Sequence, residues 1–406
     1  MPIVFVHGVN NREGPEYAAG VETQKQFFRM YLGGVKVRGK TLPLVPDVIF
    51  PYWGGLATTF AWDMASLPSD QTQALGTAAD ANTEMVAAHL LDALGEKSKE
   101  PEPLTALAKK SFPLAVDALT RMALASAEDG KAEEYAAFVV KVSTYAADNP
   151  DPPWVAGVGS DDEFINELIA HADAPPANAG HVQPLGAITS WVGDQLKAGG
   201  QKVRDAVTGL STKALDRAGD FASTKVLAWT RDSLNATLGR FFGDVFIYVK
   251  TRGDKANPGP IPQKILGAID AAVAAAPNEP LVVVGHSLGG VISMDLFSHF
   301  RPNLDVDLFV SVGSQVAHFE EIKMYLASDP NASAATGFAK TPPNVHRWIN
   351  IFDPVDIFSY SVEKVFKPVN VDASYDTRTY VIKSHTAYFE QADFYKRLRA
   401  RIEALP

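Results

Sequence analysis

The residues Gly285-His286-Ser287-Leu288-Gly289 place a hydroxyl between two glycines, directly after the apolar run LVVV and directly before the helix-like LGGVISMD. A serine held where a strand turns sharply into a helix is the nucleophile elbow, G-x-S-x-G. The glycines are needed sterically, because such a turn packs its neighbours so tightly that side chains at 285 and 289 would collide. Ser287 is then presented at the carboxyl edge of a sheet as a candidate nucleophile. A glycine-rich turn with an incidental serine would need neither the strand before it nor the helix after it. Phosphate binding is the poorer match, since no Lys-Ser or Lys-Thr follows the glycines and the spacing is not G-x-G-x-x-G.

A serine hydroxyl is a weak nucleophile at neutral pH and requires a base that is itself held by a third group. At such an elbow the chain order is Ser, then Asp or Glu, then His, so both partners should lie beyond residue 287. Three histidines qualify by position: His318, His346 and His385. His346 opens a strand candidate and would sit at its wrong end. His385 follows the strand candidate RTYVIKS and precedes the last helix, which makes it the expected base, with His318 as alternative base or substrate-side residue. The strand candidate WINIF runs into DPVDIFSY, which carries Asp353 and Asp356. Asp356 reaches further over the sheet edge and is the expected acid, holding the imidazole tautomer. Asp353, followed by proline, is the alternative acid or a turn-capping side chain.

Attack on an acyl carbonyl builds negative charge on its oxygen, and two backbone N–H donors must already point there. One belongs to the residue after the nucleophile, Leu288. The other comes from a loop after an early strand, often a His-Gly turn, and FVHGVNNR at residues 5–12 supplies that loop. Val9 is the expected second donor, Gly8 permits the bend, and His7 orients the loop. Gly285, His286 and Gly289 complete the supporting set around the elbow.

These residues must be positioned by strands and helices, and the chain divides into three zones. Residues 1–55 read strand, helix, strand: IVFVHG, EYAAGVETQKQFFRMYL and PDVIFPYWG. Residues 56–240 are alanine-rich, with apolar residues at helical spacing. Met85, Leu90 and Leu94 make one stripe and Tyr135, Phe138, Val139 and Val142 another. SDDE at 160–163 is a capping-box pattern before Phe164, Ile165, Leu168 and Ile169. This zone reads as an all-helical insertion, broken at NPDPPW and APPANAG. Residues 241–406 return to alternation, with strand candidates DVFIYV, LVVVG, DLFVSVG, HRWINIF and RTYVI between helical stretches. Nearly continuous apolar strands between helices predict an α/β fold whose parallel sheet is covered on both faces. The first and third zones are expected to form one domain, split by the second.

Together VHGV, GHSLGG, RWINIFDPVD and SHTAYF resemble the α/β-hydrolase superfamily, and within it the lipase-like and esterase-like serine hydrolases. The resemblance covers about residues 2–54 and 241–404. It implies an α/β-hydrolase fold with Ser287 as nucleophile, Asp356 as acid, His385 as base and VHGV as the oxyanion turn. It further implies cleavage of a small-molecule or lipid carboxylic ester through an acyl-enzyme, with no metal and no organic cofactor. A thioesterase or amidase on the same triad, or a hydrolase core that scaffolds a helical protein-interaction module, are the other readings. Two features depart from the pattern. The usual strands before the oxyanion strand are missing, which predicts a mostly parallel sheet trimmed to about six strands. The helical zone enlarges the segment where a cap or lid that defines substrate usually sits.

Composition narrows the partners. The 406 residues carry 37 Lys and Arg against 47 Asp and Glu, a net charge of -10, which gives no electrostatic reason to bind nucleic acid. Absence of cysteine excludes disulfides, thiolate nucleophiles and cysteine zinc sites. The apolar runs are strand-length against the roughly 18 residues of a spanning helix, so no integral membrane span is expected. The chain opens directly on strand-like sequence without a leader pattern, which reads as cytoplasmic. Residues 201–242, with Val203, Val207, Leu210, Leu215, Phe221, Val226, Leu227, Trp229 and Leu238, read as long amphipathic helix. Beside plain packing, a lid over the site, transient membrane-surface contact and a protein partner are the roles such a face can take.

Overall fold

The computed structural model describes residues 3–62, 64–65, 87, 90, 93–94, 100–125, 127–173, 190–215, 231–379 and 381–405. Its centre is a six-stranded sheet of β1 (Ile3–Val6), β2 (Val48–Ile49), β3 (Val282–His286), β4 (Leu308–Val312), β5 (Trp348–Phe352) and β6 (Val371–Ser374). The strands are mutually parallel and lie in the order β6-β5-β4-β3-β1-β2. The described helices are α1 (Pro15–Leu32), α2 (Pro103–Lys110), α3 (Phe112–Ala125), α4 (Ala132–Asp148), α5 (Asp161–Asp173) and α6 (Ser190–Leu215). They continue as α7 (Arg231–Thr251), α8 (Pro260–Ala275), α9 (Leu288–Asp295), α10 (Val316–Glu321), α11 (Val381–Ala387) and α12 (Ala392–Glu403).

Strand side chains alternate between two cores, as the pleat requires. Ile3, Phe5, Val282, Val284, Val310 and Ile349 enter one, with Phe27 and Phe28 of α1 and Tyr395 and Leu398 of α12. Val4, Val6, Val283, Phe309 and Trp348 enter the other, with Ile265 and Ile269 of α8 and Val291 and Ile292 of α9. Burial on both faces is why these strands are almost uninterrupted runs of apolar residues. The molecule is thus an α/β protein with a parallel sheet between helical layers.

Helices α2–α6 share the first of these cores: Leu107, Val116, Phe138, Val139, Phe164, Ile165 and Leu196 are buried in it, and α4 packs along α1 and α12. The expected cap at the start of α5 is present, since Ser160 Oγ accepts the Glu163 N–H at 3.2 Å. Glu163 Oε2 reaches back to the Gly159 N–H at 2.7 Å. The stretch read as one long helix from 201 onward falls on α6 and α7 where it is described. Phe221, Val226, Leu227 and Trp229 lie outside the described residues, as does Met85.

Two strand expectations are corrected. DVFIYV lies within α7, where Phe241, Asp244 and Tyr248 recur every three or four residues and are all buried, a helical period that overrides the β-propensity of the run. RTYVI does not supply a strand either; among its described residues Arg378 and Thr379 lie in a bend and Val381 and Ile382 open the helix Val381–Ala387. The sixth strand is instead the polar VDAS, held by Asp372, whose carboxylate accepts from Ser361, Asn350 and the N–H groups of Val362 and Glu363. Among the described residues no helix is long and apolar enough to cross a membrane.

Candidate active site

Strand order reverses between β1 and β3, and the crevice beyond the carboxyl ends of strands at such a point is where α/β sheets bind ligands. Val6 pairs with Gly285, so the turn after β1 and the turn after β3 emerge side by side. The chain therefore brings residue 8 to residue 287 through sheet register alone.

Ser287 occupies the sharp turn between β3 and α9 with φ 52° and ψ -127°, a left-handed backbone that costs an L residue energy and is kept only where its surroundings enforce it. The Ser287 N–H donates to the Val312 carbonyl at 3.0 Å, and the Ser287 carbonyl accepts from Ser314 Oγ at 2.7 Å. A Cβ on Gly289 would stand 2.0 Å from the Val6 carbonyl oxygen, and one on Gly285 would stand 2.6 Å from the Gly290 Cα. Both glycines are sterically required, as the sequence pattern predicts.

His385, from α11, places Nε2 2.8 Å from Ser287 Oγ and Nδ1 2.9 Å from Asp356 Oδ2. An ionised carboxylate only accepts, so Nδ1 carries the proton and Nε2 is left to accept the serine O–H. Asp356 has no exposed side-chain surface; it also accepts the Phe358 N–H at 2.9 Å and the Tyr388 hydroxyl at 3.1 Å. Asp353 sits apart from the imidazole. Its carboxylate accepts the Val355 and Thr377 N–H groups, both at 2.8 Å, and the Thr377 hydroxyl at 2.6 Å, so it ties turn to turn. His318 lies on α10 with its ring stacked 5.0 Å from Tyr360. His346 pairs with Asp305.

Two further histidines, His7 in the turn after β1 and His286 in the elbow, are held by hydrogen bonds on either side of Ser287. His7 donates from Nδ1 to the Gly8 carbonyl at 2.8 Å and accepts the Trp53 N–H on Nε2 at 3.0 Å, with its ring stacked on Trp53. Burial pushes its pKa down to about 4, so it stays neutral and its nitrogens are occupied. His286 donates from Nε2 to the carbonyl of His385 at 2.6 Å, which fixes the backbone of the candidate base. Burial pushes His286 down to about 3.

Among the described residues no hydrogen bond uses the backbone N–H of Val9 or of Leu288. Leu288 is fully buried and Val9 part-buried; backbone donors away from water are nearly always paired, and two left free beside a serine are what an oxyanion would occupy. Ser287 itself has no exposed surface. Phe241 of α7 stacks on Phe358 at 4.3 Å, and the two rings lie 6.2 and 5.2 Å from that of His385.

Several residues at the site were not marked by sequence. Tyr388 falls three residues beyond His385, a helical spacing that could have flagged it. Trp53 and Phe241 carry no comparable signal, being aromatic residues among many. No three His, Asp or Glu side chains converge as metal ligands among the described residues. The chain matches no protein-family model, no curated protein and no solved structure.

Proposed function

We propose that this protein is a serine hydrolase of the α/β-hydrolase type that cleaves carboxylic esters through an acyl-enzyme. The observation that carries the reading is the continuous relay from Asp356 through His385 to Ser287, with contacts of 2.9 and 2.8 Å, ending on a serine held in a strained elbow. Each group has one role. His385 Nε2 takes the hydroxyl proton as Ser287 Oγ bonds to the acyl carbon, and Asp356 stabilises the imidazolium that results. The Val9 and Leu288 N–H groups receive the oxyanion. Collapse of the tetrahedral adduct breaks the bond to the leaving alcohol, which departs with the proton held by His385. Water then repeats the sequence on the acyl-enzyme, with His385 as base, and Ser287 recovers its proton as the acid is released.

The rings of Phe241 and Phe358 beside His385 favour an apolar acyl group over a charged one. Because Ser287 is fully buried, substrate entry requires α7 or the loop carrying Asp356 to move, which gives the end of the helical zone the part of a cover. Hydrolysis of p-nitrophenyl esters of short and long chain tests the reading. Wild type should turn over, with Ser287→Ala and His385→Ala reduced at least about 10³-fold; turnover that persists in both variants would remove the triad.

A further inference from the structure

Asp244 lies on α7 and its carboxylate is completely buried, yet all the donors around it come from the opposite end of the chain. Oδ2 accepts the Asn10 N–H at 2.8 Å and one Arg12 nitrogen at 3.2 Å; Oδ1 accepts the other Arg12 nitrogen at 2.8 Å and the Thr58 N–H at 2.9 Å. A buried carboxylate is tolerated only with its partners in place, and this one is fully supplied. Gly243, beside it, allows the approach, since a Cβ there would lie 2.6 Å from Thr58 Cγ2.

The Asn10 amide is the peptide that follows Val9. Asn10 is held at φ 60°, outside the backbone region a non-glycine residue prefers. Within the same turn, Asn11 Nδ2 donates to the carbonyls of Gly8 and Val9, each at 3.1 Å. The turn is thus braced internally by Asn11 and externally by Asp244. The helix that supplies the external brace also carries Phe241 over His385.

We infer that Asp244 is a positioning residue for the oxyanion turn, holding Val9 in donor geometry while α7 is seated over His385. The inference rests on the serine hydrolase reading for its catalytic half. Lifting α7 would withdraw the carboxylate from Asn10 and release the turn, so site covering and oxyanion stabilisation are one event.

The test is Asp244→Asn in the full chain, with Arg12→Gln and Arg12→Lys beside it, read by hydrogen exchange and by the labelling rate of Ser287 with a fluorophosphonate. Asp244→Asn should exchange the amides of residues 8–12 faster than wild type. Its labelling rate should fall about 10²-fold, the scale for one lost oxyanion donor, with kcat reduced far more than KM is raised. Arg12→Gln should follow in the same direction, and Arg12→Lys, which keeps a charge beside the carboxylate but loses the two-nitrogen contact, should recover only part of the rate. If Asp244→Asn fails to unfold cooperatively, the Arg12 pair decides. Unchanged exchange in residues 8–12 would overturn the brace. Faster exchange with an unchanged labelling rate would overturn its role in catalysis. Should wild type and Ser287→Ala label alike, the hydrolase reading and the catalytic half fall together, and the exchange result alone upholds or overturns the brace.

Discussion

Gly8 and Ser287 pack against each other so closely that a Cβ on Gly8 would stand 2.6 Å from the serine Cβ and 3.1 Å from its Oγ. Gly8→Ala should therefore displace Ser287 or the turn. Steady-state kinetics should show kcat/KM down by about 10² or more, the cost of an ångström-scale misplacement. Gly20→Ala is the control: it lies in α1 with open space around its Cβ, and should keep activity while gaining up to about 1 kcal/mol of stability.

The two aspartates after β5 separate by their partners. Asp356→Asn should fold normally and lose about 10⁴ in kcat, because the amide can donate to Nδ1 and reverse the imidazole tautomer. Asp353→Asn replaces one of the two buried oxygens that together accept three hydrogen bonds by an NH2 group facing donors, and should cost roughly 3 kcal/mol in urea unfolding while the folded protein keeps most of its kcat. The reverse pattern would make Asp353 the acid.

Tyr388 connects both aspartates, donating its hydroxyl to Asp356 and accepting the Asp353 N–H at 2.8 Å. Tyr388→Phe should lower kcat about tenfold with little change in KM, and lower stability by about 1 kcal/mol. A change confined to stability would limit Tyr388 to packing.

His7 and His286 set a pH dependence of stability. Their folded pKa values are pushed down to about 4 and about 3 by burial, against about 6.5 in an unfolded chain. Below pH 6.5 the unfolded chain binds more protons, so stability rises with pH and is lost as pH falls from 6.5 toward the folded values. Each should remove roughly 2 kcal/mol between pH 7 and pH 5, at about 1.4 kcal/mol per pKa unit. Urea melts at the two pH values measure the loss, and His7→Gln, less stable overall, should lose less between them.

The elbow was legible because it is local: two glycines, a serine, an apolar strand and a helix lie within one short stretch. The His-Gly turn was legible for the same reason, and its pairing with the elbow follows once β1 and β3 are adjacent. What escaped depends on distant contacts. The bond from Asp244 to Arg12 spans 232 residues, and nothing in FFGDVFIYV indicates that an aspartate there meets the start of the chain. That segment read as a strand because its β-branched and aromatic residues are contiguous, whereas its burial follows a helical period. VDAS escaped as a strand because its stability comes from the hydrogen bonds of Asp372 rather than from apolar burial.

The most direct measurement is mass spectrometry of the purified protein after exposure to a fluorophosphonate, with Ser287→Ala and His385→Ala alongside. A single adduct on Ser287 in wild type, absent from Ser287→Ala and slowed at least about 10³-fold in His385→Ala, is the expected result. An adduct on another residue, or equal labelling of all three proteins, would contradict a nucleophile at the β3 elbow.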